Sequence, residues 1–161
     1  MIRRVDIIAS LIIGELAALL MVLVSYNISL PAAAAQYVKF LPYVFPVFTL
    51  MVMIAGFFIA KIFPVVYQLA KFSLVGGLNF LIDLGVLNLL ITATGITAGF
   101  WAATFKAASF LVAVTSSFFW NKFWTFRSLS VENAGRQFAE FFAVTLVGFF
   151  INVSSNFSSS T

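Results

Sequence analysis

Two charged side chains sit deep within otherwise apolar runs. Asp83 stands about eleven residues into a run that opens at Phe72, and Lys106 about seven into one that opens at Phe100. An ionised acid at that depth of a bilayer costs a few kcal/mol or more unless it is paired or protonated. The helical rise puts Asp83 about 15 Å and Lys106 about 10 Å from the same outer face, an offset within a lysine's reach. A buried pair is therefore feasible; the alternative is a Lys106 that snorkels outward alone. Asn79 lies one turn before Asp83 on the same face, and Gly76 and Ser73 extend the stripe. Such a stripe is either a polar seam along which a head group passes or a hydrogen-bonded helix contact. Glu15, central in the first apolar run, reads as a protonated or hydrogen-bonded group at a helix contact. Ser109, Ala113 and Ser117, four residues apart, form a ridge suited to close packing.

Residues 118–127 read FFWNKFWTFR. Trp120 and Trp124 at a membrane boundary are by default interfacial anchors. Anchoring accounts for the aromatics and for Lys122, but Asn121 gains little there unless it binds something. Lys71, Lys122, Arg127 and Arg136 converge on one rim, which suits a phosphate, and Trp124 offers a face to a sugar. The candidate binding set is Lys71, Asn79, Asp83, Lys106, Asn121, Lys122, Trp124 and Arg127. It includes no catalytic or metal-ligating residue and calls for no cofactor.

The composition dictates what must hold these residues. Of 161 residues, 63% are hydrophobic and 9% charged, with a mean hydropathy of +1.11. A soluble fold could not cover that surface, so the chain is read as an integral membrane protein, and backbone satisfaction in lipid favours helices. Alternating strands of the kind a membrane barrel needs are absent. With neither Cys nor His, thiol catalysis, Ser-His triads, Cys/His zinc sites and disulfides are excluded. Apolar periods predict five spanning helices, over 7–24, 43–60, 72–91, 100–120 and 138–153, followed by a serine-rich tail. PAAAAQ at 31–36 raises the alternative of a cleaved signal peptide, but the run before it is too long and carries Glu15. Arg3, Arg4, Lys61, Lys71, Lys122, Arg127 and Arg136 then share one side, against Lys39 alone on the other. The positive-inside rule makes that side, and the N-terminus, cytoplasmic. The net charge of +4 is thereby explained by topology, without nucleic acid.

KFSLVGGLNFLID at 71–83 overlays EFFAVTLVGFFIN at 140–152, with Phe72/Phe141, Val75/Val144, Phe80/Phe149 and Ile82/Ile151 identical. Both segments run in the same direction, as in a parallel repeat of a two-helix unit. Together with KAASFLVAVTSSFFWNKFWTFRS at 106–128, they resemble the GtrA-like family of polytopic membrane proteins over about residues 69–153. The resemblance implies a domain also fused to dolichol-phosphate-mannose-type synthases and concerned with polyprenyl-phosphate-linked sugars. Two departures stand out: a two-helix N-terminal extension over 1–68, and a serine-rich tail, 154–161, where the last family helix is expected, so the second repeat reads as truncated. The expected fold is thus all-α. The expected function is binding and translocation of a polyprenyl-phosphate-linked sugar for cell-surface polysaccharide synthesis at the cell membrane, without enzymatic chemistry. The alternatives are a non-catalytic anchor recruiting a glycosyltransferase and a small-solute or ion carrier. Expected partners are membrane lipid, the lipid-linked sugar and a glycosyltransferase, with a homo-oligomer as a further option.

Overall fold

The computed structural model describes residues 2–28, 30–127 and 136. Among them there is no strand, and residues 1–127 form one compact helical unit. Four helical stretches are long and apolar enough to cross a membrane: Arg4–Ser25, Ala33–Ile59, Val65–Thr94 and Gly99–Thr125. The expected fifth span over 138–153 and the serine-rich tail fall outside the described residues, so the repeat's second copy does too.

The chain order is α1 (Arg4–Ser25), the short α2 (Ala32–Ala35), a 3₁₀ turn (Val38–Phe40), α3 (Leu41–Ile59), α4 (Val65–Thr94) and α5 (Gly99–Trp120), which runs into a π-helical turn (Asn121–Thr125). α1 packs on α3 and α4, and α4 packs on α5. One face of α1 carries small residues, Ala9, Ser10, Gly14, Ala17 and Ala18, all buried. Small residues let helix backbones approach closely where lipid supplies no hydrophobic drive. Gly14 shows how close: a Cβ there would lie 2.6 Å from Pro46 Cα and 2.8 Å from the Phe45 carbonyl oxygen. In the same contact the Thr49 hydroxyl donates to the Ser10 carbonyl at 2.7 Å.

α4 is longer than the apolar run alone predicts. Pro64 takes the cap position, where its missing N–H costs nothing, and the helix begins at Val65. Lys71 therefore lies inside α4, past its first turn, rather than at its mouth. The other end of α4 closes on Gly95, whose φ of 71° is the left-handed cap that glycine adopts freely; its N–H donates to the Ile91 carbonyl at 2.7 Å.

Candidate functional site

α1, α4 and the π turn meet at one end of the bundle. Asp6 lies in the first turn of α1, where the helix dipole favours an acid. Tyr67 and Lys71 are one turn apart on α4 and so share a face. The π turn is closed by the Phe126 N–H donating to the Asn121 carbonyl at 2.8 Å. The fifth residue in that wide turn changes the side-chain rotation, and Asn121, Lys122, Trp124 and Thr125 are all buried.

The Asp6 carboxylate, 1% exposed, is the hub of this end. Its Oδ1 accepts from Lys71 Nζ at 2.5 Å and from Trp124 Nε1 at 3.1 Å. Its Oδ2 accepts from the Tyr67 hydroxyl at 3.1 Å, Arg3 Nε at 3.4 Å and Arg127 Nη2 at 3.5 Å. The Lys71 ammonium also lies 4.6 Å from the Tyr67 ring centre and 5.3 Å from that of Trp124. Three cations face one carboxylate, which leaves a surplus of positive charge. Lys71 is as buried as Asp6, so removing either would strand a charge. The Arg3 and Arg127 side chains are each 46% exposed, their contacts are long, and pairs of that kind hold weakly. Arg127 takes a left-handed backbone, φ 57°, uncommon for a residue with a Cβ.

A second polar group lies further along α4. Asp83 is twelve residues beyond Lys71, about 18 Å along the axis. Its Oδ2 pairs with Lys106 on α5 and its Oδ1 accepts from the Ser109 hydroxyl at 2.6 Å. The reach calculated from helical rise is met: the Asp83–Lys106 pair forms. Asn79, between the two groups, has a buried Oδ1 without a partner among the described residues. The same holds for Asn121 Oδ1 and the Thr125 hydroxyl.

Of the residues singled out from sequence, Lys71, Trp124 and Arg127 meet on Asp6, and Asp83 and Lys106 meet each other. Of the remaining three, Asn79 lies on α4 between the two groups, and Asn121 and Lys122 belong to the π turn. Asn121 donates to the Ser117 hydroxyl at 3.3 Å, and the Lys122 ammonium lies 5.7 Å from the Phe118 ring centre. Trp124 turns its indole N–H into the bundle onto Asp6, in addition to whatever its position at a helix end supplies. Ser109, Ala113 and Ser117 are all buried, as a packing ridge should be. Glu15 is half-buried and, among the described residues, makes no hydrogen bond or ion pair. Asp6 is the residue that sequence reasoning missed. Its only signal in the sequence is an acid two residues after Arg4, directly ahead of the expected first span.

The model of the GtrA/DPMS transmembrane domain matches residues 71–159, more than half of the chain. No curated protein and no solved structure matches it.

Proposed function

The chain belongs to the GtrA/DPMS transmembrane-domain family, a multi-pass membrane family tied to sugars on glycosyl carrier lipids, and on that premise we propose that it binds polyprenyl-phosphate-linked sugars and carries them across the membrane for cell-surface polysaccharide synthesis. The observation that carries the reading is a set of polar groups spaced along α4, with Lys71 turned toward α1 and Asp83 toward α5. Lys71, Asn79 and Asp83 follow one another from the basic end toward the middle of the helix, and Asp83 is held by Lys106 across the bundle. A basic end receives the phosphate, and a charge-balanced pair within the spanning segment eases a polar head group through an apolar core. Asn121, Lys122, Trp124 and Arg127 supply the head-group contacts at the basic end. No bond-breaking step is assigned to any residue.

The test is glycolipid translocation in proteoliposomes. Asp83→Asn should lower the transfer rate at least tenfold while the protein still inserts. Undiminished transfer would leave the Asp83–Lys106 pair as a helix lock and favour a membrane anchor that recruits a glycosyltransferase. The basic end is proposed to be cytoplasmic, on the seven-to-one bias of basic residues. Cysteines placed at Phe63 and at Thr97 should then label from opposite sides, with Phe63 reached from the cytoplasm.

A further inference from the structure

We propose that Arg3, Lys61 and Arg127 form a phosphate-binding site built jointly by the N-terminal helices and the family domain, with the lipid's isoprenoid chain lying in the adjoining groove. The proposal rests on the lipid-phosphate reading above and adds to it two residues, Arg3 and Lys61, that lie outside the family-matched segment 71–159. All three cations line one cavity of about 320 Å³, with Asp6 and Tyr67 at its wall. Their charges are available. Lys71 already neutralises Asp6 at 2.5 Å, so Arg3 and Arg127, at 3.4 and 3.5 Å and half exposed, bring charge that the carboxylate does not need. Lys61 is exposed, 4.9 Å from the Phe58 ring centre, with no carboxylate partner among the described residues. A phosphate between these three would be met from three separate elements, the arrangement that makes charge-assisted contacts selective.

The ligand's other half is indicated by the second cavity. A groove of about 480 Å³, walled by Val5, Ala9, Phe119, Trp120 and Phe123, also has Arg3 on its lining. Arg3 thus joins a cationic cavity to an apolar one, and a molecule filling both must carry an anion at one end and hydrocarbon at the other. The Oδ2 of Asp6 lies between the two guanidiniums at the cavity wall, so Arg3 and Arg127 border the same space.

The experiment is calorimetric titration of the full chain in detergent with farnesyl phosphate, farnesol and inorganic phosphate. Farnesyl phosphate should bind more tightly than either of the others. Arg3→Ala and Lys61→Ala should each weaken it roughly three- to tenfold, and Arg3→Lys should recover most of the loss. Both residues are exposed, so neither variant threatens the fold. Binding of farnesol as tight as that of farnesyl phosphate would overturn the anion site. Inorganic phosphate binding as tightly as the lipid would overturn the role of the groove. If Arg3→Ala and Lys61→Ala bind as wild type does while Lys122→Ala loses binding, the lipid-phosphate reading survives and this joint site does not.

Discussion

The carboxylates of Asp6 and Asp83 are each paired with a lysine from another helix, yet they sit in opposite kinds of electrostatic surroundings. Asp6 takes five donors, three of them cationic, and is 1% exposed. Asp83 takes one lysine and one hydroxyl, and the Lys106 side chain is 48% exposed. The first arrangement carries excess positive charge and is buried, the second is charge-balanced and half exposed on its lysine side. A group that only fastens helices needs charge balance; an excess of cations on a single carboxylate fits an end that also meets an outside anion. Conversely, a pair whose lysine is half exposed can be opened at smaller cost, because the freed ammonium has room to turn outward.

The contrast is testable through stability. The largest effect is expected for Asp6→Ala, which strands the buried Lys71 ammonium and should cost about 3–5 kcal/mol. Thermal unfolding in detergent measures it, and Lys71→Met added to that variant should restore a large part by removing the stranded charge. The same unfolding assay on Asp83→Ala should show a smaller loss, since Lys106 can turn outward; a loss as large as that of Asp6→Ala would erase the distinction. Next comes Trp124→Phe, which keeps an aromatic ring but deletes one donor to a buried carboxylate along with part of the buried indole, at about 1.5–3 kcal/mol for the hydrogen bond. The smallest effect belongs to Arg127→Ala, under about 1 kcal/mol because the pair is half exposed. Were Arg127→Ala to destabilise as much as Trp124→Phe, its contact would be structural and its charge not surplus.

The two regions also differ in how far the sequence disclosed them. Asp83 and Lys106 could be paired in advance because helical rise converts sequence position into depth, and both depths are counted from the outer ends of their runs, which the short TATGITAG turn marks. The Asp6 hub could not. Its lysine lies 65 residues away, and an apolar window starts α4 at Phe72, which puts Lys71 at a helix mouth instead of inside a helix capped by Pro64. The π turn left still less trace, because NKFWT has the mixed composition of any interfacial segment and no apolar period marks a fifth residue in a turn. Four of the expected spans are present with ends displaced by a few residues, most at α4, and the fifth lies beyond the described residues.

The length of α4 sets where these groups lie against a bilayer. Thirty residues give about 45 Å of helix, close to the full thickness of a membrane with its head-group layers and about 15 Å more than its hydrocarbon. An upright, centred α4 therefore leaves about one and a half turns in each polar layer, and Lys71, about 9 Å from the helix start, falls just inside the hydrocarbon boundary. Asp83, about 27 Å from that start, stays within a few ångströms of the midplane. A thinner bilayer would tilt the helix or lift Lys71 out into the head-group layer, so membrane thickness sets how far the Asp6–Lys71 pair lies from water.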